Sequence, residues 1–102
     1  MINSNRKGKR GERELVDIYK AAGYDAYRTP NSGGLREPGD IQGVTGVHVE
    51  AKIGKSIRFW DAIDQCESDC PAGVVPAVHF RRDRGRWRVV LPLDDFIKLL
   101  KS

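Results

Sequence analysis

Apolar and polar positions along this chain follow patterns that predict three helices and five strands. Over residues 8–22, apolar residues recur at i, i+3, i+4 and i+7, which is the spacing of a helix that buries one face. Gly23 follows as a predicted C-cap. The face expected to be buried consists of Leu15, Ile18, Tyr19 and Ala22.

Short apolar runs bounded by glycine, proline and asparagine predict the strands, and a second helical pattern separates them. The expected order is α-β-β-β-α-β-β-α, which predicts an α/β fold: a small mixed β-sheet flanked by helices. The second helix is expected to turn Phe59, Trp60, Ile63, Cys66 and Cys70 inward. The remaining expected elements are strands 24–28, 40–44, 47–53, 74–81 and 86–91 and helices 59–69 and 93–100, with a glycine-rich loop over residues 29–39.

Length and composition indicate one soluble globular domain over residues 1–102, with a loose, basic-flanked tail over residues 1–5. Hydrophobic residues make up 39% of the chain and charged residues 31%, and no apolar run approaches the roughly 20 residues of a membrane span. The polar N-terminus lacks the apolar core of a signal peptide. Cys66 and Cys70 do not have CxxC spacing, so both are expected to be reduced. We therefore expect a cytoplasmic, intracellular protein.

Three charged residues of the predicted hairpin indicate a candidate site. Alternation along strand 47–53 places His48, Glu50 and Lys52 on one face and apolar residues on the other. An isolated Glu-x-Lys pair is ordinarily a salt bridge on the wet face of a sheet, worth less than about 1 kcal/mol. The alternative is a metal site, which requires that Asp40 reach the face of Glu50.

The length of the hairpin loop decides which face Asp40 reaches. A two-residue turn would place Asp40 opposite Ala51, among the apolar side chains, whereas a three-residue loop over residues 44–46 would place it opposite Glu50. Gly46 at the last loop position suits the left-handed conformation of the longer loop. Burying an aspartate among valines is also costly. We therefore predict the three-residue loop.

Two carboxylates directly opposite one another on neighbouring strands repel each other, and a divalent cation relieves that repulsion. Oxygen ligands suit Mg²⁺ or Mn²⁺, and the Ala51 carbonyl is a candidate third ligand beside Asp40 and Glu50. Lys52, one pleat away, is placed to orient water and offset charge on a phosphate. These groups are the ones that metal-assisted phosphodiester hydrolysis needs.

The first helix offers a further carboxylate. Glu12 lies on its sheet-facing stripe, although acids near a helix start are equally explained by the helix dipole. Glu14 lies about 200° around the helix from Glu12 and is expected to face solvent.

The net charge of +4 and the pI near 9.3 favour a polyanionic partner only weakly. Two clusters, each with five basic residues in eight positions, are more informative. Either cluster alone is equally well explained as a solvated patch, but two clusters that flank a candidate metal site favour nucleic acid. The clusters are Arg6, Lys7, Lys9, Arg10 and Arg13, and Arg81, Arg82, Arg84, Arg86 and Arg88.

Four short segments carry a resemblance to known nucleases. They are Gly11-Glu12-Arg13-Glu14-Leu15, Arg28-Thr29-Pro30-Asn31-Ser32-Gly33, Pro38-Gly39-Asp40 and Val49-Glu50-Ala51-Lys52. In this order they resemble the archaeal-type Holliday junction resolvases of the PD-(D/E)xK nuclease superfamily. The chain is short for a resolvase, as a minimal, phage-like member would be. A glycine separates Pro38 from Asp40, where the superfamily usually has the two side by side.

The resemblance implies a restriction-endonuclease-like core and Mg²⁺- or Mn²⁺-dependent DNA cleavage. It implies that Glu12, Asp40 and Glu50 hold the metal and that Lys52 is the catalytic lysine. It further implies DNA-backbone contacts for Arg13 and Arg28, a positioning role for Ser32 on the scissile strand, and a place near the site for Gln65. Two other residues have ordinary expected roles: His48 as a partly exposed, hydrogen-bonded residue of the sheet and Trp87 as part of the core.

Three functions are consistent with these features. The first is a structure-selective endonuclease that resolves four-way DNA junctions. Such a junction is two-fold symmetric and needs two cuts, so a one-site chain is expected to act as a C2 homodimer. The second is a non-catalytic DNA-binding module on the same fold, and the third is a nuclease that acts on linear or flapped DNA.

Overall fold

The computed structural model describes residues 4–30 and 37–102, and the side chains of residues 8–30 and 37–102. Eight elements follow in the predicted order: α1 (Ser4–Ala21), β1 (Tyr27–Arg28), β2 (Ile41–Gln42), β3 (Val47–Ile53), α2 (Phe59–Asp69), β4 (Val75–Arg81), β5 (Arg88–Val90) and α3 (Leu93–Lys101). None of the helices in these described ranges has the length and apolar character needed to cross a membrane.

The five strands form one sheet in the order β1-β2-β3-β4-β5. β3 and β4 are parallel, with α2 as their crossover, and the other neighbouring strands are antiparallel. The predicted mixed α/β fold is therefore confirmed.

The two larger helices cover opposite faces of this sheet. α1 packs over β3 on one face, where the core residues are Leu15, Val16, Ala26, Ile41, Val44 and Val49. α2 covers the other face, where Ala62, Cys66 and Val78 form a smaller cluster. Both Cys66 and Cys70 are free thiols, in agreement with the sequence.

The helices bury somewhat different residues from those predicted. In α1, Val16 is buried while Ile18 is 48% exposed, because the helix is rotated so that Leu15, Val16 and Tyr19 meet the sheet. In α2, the buried residues are Ala62 and Cys66, whereas Phe59 and Trp60 are exposed. None of the residues of α3 is buried.

The hairpin has the predicted register. Ile41 pairs with Val49, which is the pairing of the three-residue loop, and the Val47 N–H donates to the Val44 carbonyl at 3.1 Å. Gly46 has a φ of +79°, the left-handed conformation expected at the last position of that loop.

β1 and β2 are shorter than predicted because the chain bends sharply at both ends of β2. At Gly43, φ is +88° and the backbone packs directly against the Asp25 carbonyl, so that no Cβ would fit. At Gly39, φ is +91° and the chain lies close to the His48 ring and the Val49 carbonyl. The glycine that interrupts the Pro-Asp pair therefore brings the following residue, Asp40, against β3.

Candidate active site

Two carboxylates meet at the start of β2 and form the centre of the candidate site. Glu50 points from the middle of β3 to the face covered by α2, and its side chain is 16% exposed. Asp40 is hydrogen-bonded to Glu50, and its Oδ2 accepts the Ala51 N–H at 2.8 Å. Burial, followed by the charge and hydrogen bond of Asp40, raises the pKa of Glu50 to about 8, against the opposing effect of Lys52. Glu50 therefore holds a proton at neutral pH in the metal-free protein.

The His48 side chain packs beside this pair, within hydrogen-bonding distance of Glu50. Its ring is buried, with 4% of the residue exposed, and Nε2 lies 3.1 Å from Glu50 Oε1. The prediction of a hydrogen-bonded sheet histidine is confirmed, but the prediction that it is partly exposed is wrong because the chain at Gly39 covers the ring. Burial lowers the pKa of His48, although the carboxylates of Asp69 and Asp40 oppose that effect.

A cleft of about 360 Å³ opens beside the carboxylate pair. Asp69, the last residue of α2, brings another carboxylate to it, and Glu37 lies at its rim. Sequence reasoning missed Asp69, whose signal was its position on α2 one turn after Gln65. The cleft is lined by Glu37, Pro38, Gly39, Asp40, Glu50 and Asp69.

Lys52 faces a second cleft, of about 430 Å³, on the same side of the sheet. The Gln65 side chain lines this cleft as well, so the structure brings the predicted glutamine and the predicted catalytic lysine together. Gln65 Nε2 donates to Asp69 Oδ2 at 2.8 Å, and Asp69 lines the acidic cleft. This hydrogen bond along α2 thus connects a residue that lines the cleft of Lys52 with a residue that lines the acidic cleft.

Glu12 and Arg28 engage each other rather than the carboxylate pair. Arg28 Nε donates to Glu12 Oε1 at 3.1 Å, and the two side chains are 32% and 19% exposed, respectively. The structure therefore places the third predicted metal ligand and one predicted DNA contact in one ion pair across α1 and β1.

The Glu14 side chain is 40% exposed, but its carboxylate is engaged by protein groups rather than left to solvent as predicted. Its carboxylate accepts two hydrogen bonds of 3.0 Å from the Arg81 guanidinium and one of 2.6 Å from Trp87 Nε1. These partners lie 67 and 73 positions along the chain, which no helical periodicity reveals. Arg81 is buried and also lies over the Trp87 ring. It therefore belongs to the core and not to an exposed basic cluster, whereas Trp87 packs against the core as predicted.

The elements that carry the two basic clusters meet at one end of the sheet. Gly11 of α1 packs so tightly on Ile53, the residue after Lys52, that a Cβ there would collide with it, and Trp87 lies beside the same glycine. The exposed residues near this end are Lys9, Arg10 and Arg13 on α1 and Arg82, Arg84, Arg86 and Arg88 near β5. Ser32 and the side chains of Arg6 and Lys7 lie outside the described residues.

The carboxylate pair fits a small divalent cation. Within the described ranges, no group of three or more acidic, histidine or cysteine side chains has the arrangement of a metal site. Mg²⁺, however, is commonly held by only one or two carboxylates, with waters and substrate phosphate filling the other positions. The Ala51 carbonyl lies on the same side of β3 as its N–H, which reaches Asp40, so a third oxygen is available. Asp40, Glu50 and Ala51 are thus the residues that would hold such an ion.

Comparisons with known proteins support the resemblance carried by the four segments. The family model described as archaeal Holliday junction resolvase (hjc) matches residues 3–68, which is more than half of the chain. Neither the curated proteins nor the solved structures contain a match. The matched segment includes the helix, loop and hairpin that carry Glu12, Asp40, Glu50 and Lys52.

Proposed function

Because the chain belongs to the archaeal Holliday junction resolvase family, we propose that it is a metal-dependent endonuclease that cuts four-way DNA junctions. The observation that carries the proposal is the Asp40–Glu50 carboxylate pair on the same face of the sheet as Lys52, at the base of an open cleft. Its work on DNA implies an intracellular location. The same chemistry on linear or flapped DNA is the alternative that the experiment below separates.

Each residue has a distinct task in the proposed reaction. Asp40 and Glu50 would hold the cation through their oxygens, and Glu50 would have to release its proton to do so. A bound Mg²⁺ or Mn²⁺ supplies Lewis-acid stabilisation and makes water a better nucleophile. Lys52, whose side chain is exposed in the neighbouring cleft, orients the attacking water and offsets charge on the phosphate. Gln65 shares that cleft and contacts the DNA near the site.

DNA binding is assigned to the exposed basic residues at the end of the sheet that carries Lys52. Lys9, Arg10 and Arg13 approach from α1, and the arginines around β5 approach from the other side. Arg6, Lys7, Arg28 and Ser32 are proposed to extend this surface. Each phosphate contact makes the logarithm of affinity fall by roughly 0.9 for every tenfold rise in salt. Two symmetric cuts also require two such chains, so a C2 homodimer is proposed as the active form.

Cleavage of an end-labelled four-way junction in Mg²⁺ or Mn²⁺ tests the proposal. The wild-type protein is expected to make symmetric paired nicks, and Glu50→Gln is expected to bind the junction without cutting it. Glu67→Gln, which changes an exposed glutamate of α2, is the matched control and should cut like the wild type.

Competition with unlabelled linear and flapped DNA of the same sequence separates the alternatives. Preferential cutting of the junction supports the resolvase assignment, whereas equal or better cutting of linear or flapped DNA replaces the substrate while retaining the chemistry. Salt-sensitive binding with no cutting in either metal would instead indicate a DNA-binding module.

A further inference from the structure

α3 presents an apolar stripe that the described chain leaves largely exposed. Leu93, Phe96, Ile97 and Leu100 follow the i, i+3, i+4, i+7 spacing of one helix face. They are 70%, 45%, 41% and 69% exposed, respectively. A helix of this pattern ordinarily buries its stripe, and a contiguous exposed apolar patch marks an interaction surface.

The charges of α3 indicate what covers that stripe. Asp94 and Asp95 lie in its first turn, and Lys98 and Lys101 lie in its last turn. Asp94 and Lys101 lie on one flank of the stripe, whereas Asp95 and Lys98 lie on the opposite side of the helix. Two copies of α3 packed antiparallel about a two-fold axis therefore place Asp94 of each copy beside Lys101 of the other. Parallel packing would instead place like charges together. The helix is therefore complementary to itself in one orientation.

The surface beside α3 enlarges the available contact area. A nine-residue helix is only about 14 Å long, whereas a standard interface buries about 800 Å² on each partner. An apolar groove of about 260 Å³ adjoins the start of α3, where Pro92 and Trp60 both line it. Trp60 is 76% exposed, and tryptophan is among the residues that contribute most to binding at interfaces.

We propose that the α3 face, meaning the α3 stripe together with the Trp60 groove, is the contact surface of a homodimer in which the two α3 helices pack antiparallel. The proposed junction cleavage requires two copies but does not indicate where they meet. The interface rests on the exposure and charge of α3 and on the Trp60 groove, and not on the carboxylate site, so a failure of the cleavage proposal leaves it standing.

Charge reversal at the two ends of α3 provides the first test. In the D94K variant both ends of this flank are basic, and in the K101E variant both ends are acidic. Sedimentation equilibrium over a dilution series is expected to give the wild type twice the 11.4 kDa mass of one chain. Each variant alone is expected to dimerise at least about tenfold more weakly, because like charges oppose each other at the contact. An equimolar mixture of the two variants is expected to regain dimerisation as a heterodimer.

Apolar-to-charged substitutions provide the second test. Leu93 and Leu100 are the most exposed residues of the stripe, so L93K/L100K should leave the monomer folded, as circular dichroism will show, while abolishing the dimer. I18K, which changes an exposed apolar residue of α1, is the matched control and should remain dimeric. A monomeric wild type, or a dimer that survives L93K/L100K, would overturn the proposal, whatever the cleavage assay gives. Binding of a different protein to a monomeric wild type would also overturn it.

Discussion

Glu50→Gln in the metal-free protein tests the electrostatic account of the carboxylate pair. The pKa of Glu50 rises from 4.5 to about 8 because the group is buried and lies beside Asp40. Between those two pH values the folded chain holds a proton that the unfolded chain has released. The stabilising contribution is therefore complete below pH 4.5 and is lost as the pH rises through about 8.

The expected size of this effect follows from the pKa itself. Each pH unit by which a pKa moves is worth about 1.4 kcal/mol, so the change at Glu50 costs the ionised native state on the order of 5 kcal/mol at alkaline pH. Glutamine has the shape of the protonated acid, donates to Asp40 and carries no charge. Since 1 kcal/mol shifts the melting temperature by roughly 4–8 °C in a domain of this size, Glu50→Gln should melt well above the wild type at pH 9 and close to it at pH 4.5.

Thermal melting in a chelator, with both proteins scanned at each pH, measures the difference directly. Glu67→Gln serves as the matched control and should show no pH-dependent difference from the wild type. Addition of Mg²⁺ at pH 8 should then raise the melting temperature of the wild type but not that of Glu50→Gln, since only the ionised pair binds the cation. A difference between Glu50→Gln and the wild type that stays constant from pH 4.5 to 9 would refute the reasoning.

Three further substitutions test other parts of the structure. Glu14→Ala should lower the free energy of unfolding by about 1–2 kcal/mol in urea, less than the about 3–5 kcal/mol of a fully buried pair, because the Glu14 side chain is 40% exposed although Arg81 is nearly buried. Gly43→Ala should severely weaken folding, measured by circular dichroism, because φ is +88° and a Cβ would collide with the Asp25 carbonyl. Lys52→Met should slow junction cleavage roughly 100-fold or more while keeping the Mg²⁺-induced rise in melting temperature.

Each of these changes has a control in the same chain. Asp17→Ala, at an exposed position of α1, should alter the unfolding free energy by no more than about 0.5 kcal/mol. Gly54→Ala should be tolerated, since no atom lies within 4 Å of the added Cβ. Lys55→Met, at an exposed position, should cut like the wild type. An inert Glu14→Ala, a well-folded Gly43→Ala, or a Lys52→Met that loses its Mg²⁺ response would each contradict the role assigned to that residue.

The parts of the fold that could be predicted are those that short-range patterns determine. The period of the apolar residues gave the order of the eight elements, and α2 has the predicted bounds. The register of the hairpin followed from two local facts, a glycine suited to positive φ at position 46 and the cost of burying Asp40 among valines. Because that register brings Asp40 to Glu50, the centre of the candidate site was predictable as well.

The parts that were missed depend on contacts between distant segments. Glu14 is recruited by Arg81 and Trp87, so its position on the outer side of α1 says nothing about its partners. His48 is buried only because the turn at Gly39 lies over it. Asp69 reaches the acidic cleft because the crossover helix ends there. In each case the contacting residue is determined by how the helices and strands pack together, and the periodicity of the sequence does not reveal it.

The link from Glu14 to Arg81 and Trp87 ties the first helix to parts of the chain that lie beyond the family match. The segment that matches the family ends at residue 68, yet β3, which carries Glu50 and Lys52, has its parallel neighbour only from Val75 onward. Strand pairings between such distant segments form late in folding, because the chain between them must first lose conformational entropy. A nascent chain that already carries Asp40, Glu50 and Lys52 therefore still lacks the strand and the arginine that fix them in place. The segment that carries these residues is shorter than the segment that must fold, so we expect the candidate site to form only after the region through Trp87 has left the ribosome.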